Sequence, residues 1–111
     1  MEKVYFIGAG PGDPELITVK GQRLIKEADV IIYAGSLVSR EVIDCHKEGA
    51  LVYNSATMTL EEVMDVTVNA VKNNKMVARV HTGDPSIFGA HREQMDILEE
   101  NGIEFQVIPG V

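Results

Sequence analysis

The residues best placed to do chemistry come at the very start of the chain. Gly8-Ala9-Gly10-Pro11-Gly12-Asp13-Pro14 follows directly on the apolar run Val4-Tyr5-Phe6-Ile7. Glycines at the end of a first strand let backbone amides approach a ligand with no Cβ in the way. Such a loop marks the ligand edge of an open α/β sheet. It fits neither standard phosphate cradle. Asp13 stands where the dinucleotide fingerprint has its third glycine, and the chain has no Gly-Lys-Ser/Thr triplet to hold a triphosphate. Pro11 and Pro14 stiffen the loop and remove two amide donors. An acidic, proline-braced loop suits a ligand that carries positive charge or is gripped by shape. A dinucleotide dehydrogenase is disfavoured on these grounds and by the lack of any hydride-transfer constellation.

The fourth such loop along the chain, after those near 34–38 and 54–58, reads His81-Thr82-Gly83-Asp84-Pro85-Ser86-Ile87-Phe88-Gly89. Gly83 permits close backbone approach. Asp84 suits an N-cap with Pro85 at the first helical position. A capping carboxylate keeps lone pairs for a ligand, so both roles fit. Ile87 and Phe88 suit core or an apolar ligand wall. The stretch Tyr33-Ala34-Gly35-Ser36-Leu37-Val38 is small and uncharged, either a plain turn capped by Ser36 or Ser39 or a tight wall for a flat ligand. Asn54-Ser55-Ala56-Thr57-Met58 carries neutral polar groups whose expected job is capping. His81 titrates near neutrality when unperturbed and suits a proton carrier, with a structural histidine as the competing reading. Arg40 opens a short helix within reach of the same edge, and Arg79 lies inside a strand.

No Ser-His-acid register and no G-x-S-x-G elbow is legible. Asp13 and Asp84 are the only acids well inside the loops, so no catalytic residue is assigned. The single cysteine, Cys45, and the three histidines lack metal-ligand spacing, and no metal site is expected. What remains suits chemistry that needs little side-chain acid or base. Alkyl transfer from an activated donor fits. A sulfonium methyl group is already electrophilic, and holding donor and acceptor in line supplies much of the rate.

Such loops need a scaffold, and the hydropathy pattern predicts one. Strands are expected over 3–8, 29–33, 50–53, 76–80 and 103–108. Helices are expected over 15–27, 39–47, 59–73 and 86–100. Leu16, Val19, Leu24 and Ile25 form the apolar side of the first helix. Thr59 and Glu62 have the capping-box spacing, and Asn101-Gly102 is a C-terminal stop. Strict βα alternation implies an α/β fold: an open, mainly parallel five-stranded sheet with helices on both faces. Right-handed crossovers then place segments 8–14, 34–38, 54–58, 81–88 and 109–111 on one edge.

At 111 residues the chain is one domain. A net charge of -7 argues against nucleic acid, which needs a basic face. No apolar run approaches the ~20 residues of a membrane span. A lone cysteine and a strand from the outset point to the cytoplasm rather than secretion. Pro109-Gly110-Val111 are the first residues of a loop that would face the ligand edge. The expectation is therefore the N-terminal domain, residues 1–111, of a longer protein whose second domain is absent.

Three strings together resemble the ordered motifs of the tetrapyrrole (corrin/porphyrin) methylases. They are Gly8-Ala9-Gly10-Pro11-Gly12-Asp13-Pro14-Glu15-Leu16-Ile17-Thr18, Gly83-Asp84-Pro85-Ser86-Ile87-Phe88-Gly89 and Ile108-Pro109-Gly110-Val111. The string Tyr33-Ala34-Gly35-Ser36-Leu37-Val38 is similar to that of the branch methylating precorrin-4 or cobalt-precorrin-4 at C-11. The resemblance implies methyl transfer from S-adenosyl-L-methionine, with S-adenosyl-L-homocysteine as product, in cobalamin biosynthesis. It implies a two-domain homodimer with the cofactor kinked between the domains. Carried over residue by residue, the cofactor contacts are Pro11, Thr82, Gly83, Asp84 and Ile87. The tetrapyrrole would lie over Gly12, Asp13, Ala34, Gly35 and Ser36, with Arg40 and His81 nearby. The uroporphyrinogen branch carries an Asp in the second loop and a Lys near the third. Ala34-Gly35-Ser36 and Asn54-Ser55 stand here instead, which speaks against that substrate. Other methylases of this fold, including the diphthine-synthesising type, are one alternative. A dimerising or ligand-binding module without turnover is another. A substrate rich in carboxylates needs local cations against the net field. Arg40, Arg79 and His81, or cations of the absent second domain, are the candidates.

Overall fold

Apolar runs of four or five residues alternate with amphipathic segments, and each run becomes a strand. The computed structural model describes residues 3–9, 17–34, 38, 40–81 and 89–108, the side chains of 89–91 excepted. The strands are β1 (Val4–Gly8), β2 (Val30–Tyr33), β3 (Leu51–Asn54), β4 (Val77–His81) and β5 (Phe105–Ile108). The helices are α1 (Val19–Glu27), α2 (Arg40–Asp44), α3 (Leu60–Lys72) and α4 (Gly89–Glu100). Every strand pairing is parallel, in the order β3-β2-β4-β1-β5. The expected α/β sheet is present.

The chain steps from β1 to β2 to β3 toward one edge, then from β3 to β4 to β5 back toward the other. A single crossover hand sends the helices of the two legs to opposite faces. The core divides accordingly. Leu24 and Ile25 of α1, with Val42 and Ile43 of α2, pack with Ile7, Ile31 and Val80. Val63 and Val71 of α3, with Leu98 of α4, pack with Phe6, Ile32 and Val77. Strands β1, β2 and β4 are covered on both sides, which is why they read as near-continuous apolar runs. β3 lies at an edge, with Leu51 and Val52 exposed.

Helix ends follow local chemistry. Thr59 Oγ1 accepts from the Glu62 N–H at 3.1 Å while Glu62 Oε1 accepts from the Thr59 N–H at 2.8 Å, completing the capping box. Asn73 caps the other end of α3, and Gly102, at φ +69°, follows α4.

Two helices are shorter than expected. Thr18 has extended backbone and accepts the Gly21 N–H on its hydroxyl at 3.0 Å, so α1 opens at Val19 and Ile17 lies outside it. Val19 does not join the apolar side, being 86% exposed. The inward face is Gly21, Leu24, Ile25 and Ala28, and a residue two positions before Gly21 points roughly 200° away from it. Leu16 lies outside the described residues. Helix α2 ends at Asp44 rather than 47. Lys47 is drawn to Asp29, with Nζ–Oδ1 at 2.6 Å, and the chain turns through Gly49 at φ +87°.

Candidate functional site

The carboxyl ends of the central strands stand side by side. Gly8 is in register with His81, and Tyr33 with Val80. Beyond them the Ala9 N–H donates to the His81 carbonyl at 2.8 Å, and the Ala34 N–H to the Val80 carbonyl at 2.9 Å. The chain thus leaves β1 and β2 through small residues, Gly8-Ala9 and Ala34. From Ala9 it passes to α1 on one face, and from His81 to α4 on the other. Neighbouring parallel strands whose connections part to opposite faces define a switch-point crevice, where open α/β sheets take ligands.

His81 is buried, and strand alternation puts its side chain on the α3/α4 face with Val77 and Arg79. Arg40 is exposed at the start of α2, with Nη2 3.7 Å from Asp44 Oδ1. Ala34 is half-buried. Pro11, Gly12, Asp13, Gly35, Ser36, Thr82, Gly83, Asp84 and Ile87 lie outside the described residues. The third loop caps, as expected. Asn54 Oδ1 accepts the Ala56 N–H at 2.9 Å, and Ser55 Oγ donates to the Tyr33 carbonyl at 3.1 Å.

Arg79 has a larger place than its position inside a strand suggested. Its Nε donates to Gln94 Oε1 at 3.0 Å and its Nη1 to the Ile32 carbonyl at 3.2 Å, tying β4 to α4 and β2. Burial pushes the guanidinium down to about 10. The signal was present in the sequence. Arg79 is the one charge in Val77-Ala78-Arg79-Val80, and Gln94 precedes the core residue Leu98 by one helical turn. Among the described residues no group of three or more His, Cys, Asp or Glu is placed to hold a metal ion. No described helix is long and apolar enough to cross a membrane.

A wholly parallel, doubly wound sheet whose connections part between β1 and β4 is the architecture of the open α/β class, in which ligands bind at the carboxyl ends of such strands. A sequence profile of the tetrapyrrole (corrin/porphyrin) methylases matches residues 3–111, and the chain belongs to that family. It is 60% identical over 109 residues to the cobalt-precorrin-4 C(11)-methyltransferase of Methanocaldococcus jannaschii, covering 98% of this chain and 42% of that protein. It is 53% identical over 108 residues to the precorrin-4 C(11)-methyltransferase of Pseudomonas aeruginosa, covering 97% and 43%. A solved cobalt precorrin-4 methyltransferase superposes with a TM-score of 0.93 at 51% identity, over 98% of this chain and 46% of that one. The uroporphyrin-III C-methyltransferase of Thermus thermophilus, solved with S-adenyl homocysteine, superposes with a TM-score of 0.80 at 37% identity, over 98% and 45%. The chain therefore spans less than half the length of these relatives.

Proposed function

We propose that this chain is the N-terminal α/β half of an S-adenosylmethionine-dependent methyltransferase. The acceptor is C-11 of precorrin-4 or cobalt-precorrin-4, in cobalamin biosynthesis. The observation that carries this reading is 60% identity over 98% of the chain with a cobalt-precorrin-4 C(11)-methyltransferase. The switch-point crevice between Ala9 and His81 supports it, since it brings the ends of the first and fourth loops together. S-adenosylmethionine, when bound, supplies a methyl group already activated as a sulfonium. The chain's part is to hold donor and acceptor in line and to keep water out. Pro11, Thr82, Gly83, Asp84 and Ile87 would hold the cofactor. Gly12, Asp13, Ala34, Gly35, Ser36, Arg40 and His81 would face the tetrapyrrole. The whole enzyme works as a homodimer in the cytoplasm. We propose further that residues 1–111 alone do not turn substrate over, a reading supported by relatives more than twice as long.

Calorimetric titration of S-adenosylhomocysteine into this chain, and into a chain extended to its relatives' length, tests the reading. Tight binding by the longer form, with C-11 methylation of precorrin-4 or its cobalt form, is the expected result. No binding by either form overturns it. Light scattering of the longer form checks the dimer.

A further inference from the structure

A cavity of about 370 Å³ lies between the first turns of α3, the second turn of α4 and the face of β4. Helices α3 and α4 both start at the carboxyl edge of the sheet, so the cavity belongs to the edge that carries the crevice. One wall is apolar, made by Met58, Leu60 and Val63. The opposite wall holds Arg79, 5% exposed, and Gln94.

Among the described residues the guanidinium is buried against neutral partners. Its two hydrogen bonds among the described residues go to an amide oxygen and a backbone carbonyl. No carboxylate of the described residues lies within ion-pair distance of it. Removal of a cation from water is costly, and neutral dipoles offset that only in part. Even when pushed down to about 10, the group stays charged at neutral pH. Ser55, also on the wall, commits its hydroxyl proton to the Tyr33 carbonyl, so among the described residues the side-chain donors lining the cavity are Arg79 and the Gln94 amide, and of these Arg79 carries the charge. Among the described lining residues the one carboxylate, Glu93, sits exposed on the rim.

A buried planar cation opposite an apolar wall matches an alkyl carboxylate. The oxygens meet the guanidinium fork, and the methylenes lie along Met58 and Val63. A doubly charged phosphate fits less well beside Glu93 and the apolar wall. We propose that this cavity is a carboxylate subsite, with Arg79 binding an alkyl carboxylate arm of the ligand. The identity of that ligand, a carboxylate-bearing tetrapyrrole, rests on the proposed function; the subsite itself does not.

Titration of the 111-residue chain with sodium propionate, followed by ¹H–¹⁵N NMR at Arg79 Nε–H and the Gln94 side-chain amide, tests the assignment. Both signals are expected to shift saturably with propionate and to ignore methyl propionate, its neutral ester. Glu93→Gln, an exposed change that leaves the fold intact, is expected to tighten propionate by about two- to five-fold by removing a like charge. Arg79→Met is expected to weaken it at least tenfold. Equal shifts with the ester, no saturable shift with propionate, or an affinity unmoved by Glu93→Gln would each overturn the subsite. A propionate response without S-adenosylhomocysteine binding in the longer form sinks the methyltransferase reading and leaves the subsite standing. The reverse pattern sinks the subsite alone.

Discussion

The N–H of Ala9 donates to the carbonyl of His81 at 2.8 Å, joining the residue after β1 to the last residue of β4. The segments that leave these two residues, far apart along the chain, therefore start as neighbours. They then part to opposite faces of the sheet. The residues proposed to hold the cofactor follow these two points in the sequence.

The contact of α1 with β1 is tight at Gly21. A Cβ there would lie 3.0 Å from Ile7 Cγ2 and 3.2 Å from both Ile17 Cγ1 and Thr18 Oγ1. Gly21→Val is expected to cost about 2 kcal/mol through overpacking against a fully buried Ile7. Gly21→Ala should fall within about 1 kcal/mol of the parent, because helix propensity returns part of the loss. Urea midpoints at constant slope measure both changes.

Thr59 holds α3 through a reciprocal pair of hydrogen bonds with Glu62. Thr59→Ala removes the acceptor for an N–H at the helix start and should cost about 1 kcal/mol. Thr59→Ser keeps the hydroxyl and should recover most of that loss in the same denaturation assay.

Asp29 anchors the far edge of the sheet. Its Oδ1 meets Lys47 Nζ at 2.6 Å, and its Oδ2 accepts the Met76 N–H at 2.9 Å. The Lys47 hydrogen bond first, and the Met76 amide second, hold the carboxyl below its ordinary value of 3.8. A depressed folded-state pKa contributes stability that is complete above the unfolded value and is lost as pH falls through the folded one. Asp29→Ala should therefore cost about 1 kcal/mol at neutral pH. The gap between variant and parent should narrow once pH drops below 3.8. Thermal melts across an acid series check the sign; a gap that widens toward low pH contradicts the assignment.

Arg40 is exposed, and among the described residues its ion pair is a long one, 3.7 Å, with Asp44. Such pairs contribute at most about 1 kcal/mol, so Arg40→Glu should leave the melting temperature nearly unchanged. In the longer enzyme the charge reversal is expected to weaken tetrapyrrole affinity several-fold. An unchanged substrate affinity would remove Arg40 from the substrate surface.

Much of the scaffold was legible because its signals are local. The Thr59 and Glu62 spacing, the Asn101-Gly102 stop and the apolar runs of the central strands each report short-range chemistry. The misses were also local, but tertiary contacts overrode them. Val19 reads as part of an apolar stripe, yet Gly21 takes the inward face with Leu24 and Ile25, where even a Cβ would crowd Ile7. The pattern of residues 39–47 reads as one helix, yet Lys47 leaves it for Asp29.

The sequence by itself determined the element types, the parallel character of the sheet and the gathering of its loops at one edge. These follow from periodicity, capping and crossover handedness, which depend on neighbours in the chain. The tertiary structure alone decided the strand order, the meeting of Ala9 with His81 and the seating of Arg79 against Ile32 and Gln94. Val4–Ile7 and Val30–Tyr33 are nearly interchangeable as apolar runs, and the charge of Arg79 in Val77–Val80 names no neighbouring strand, so local pattern cannot rank the three within the sheet. The order is set by which arrangement covers both faces of all three at once, and that is a property of the assembled core.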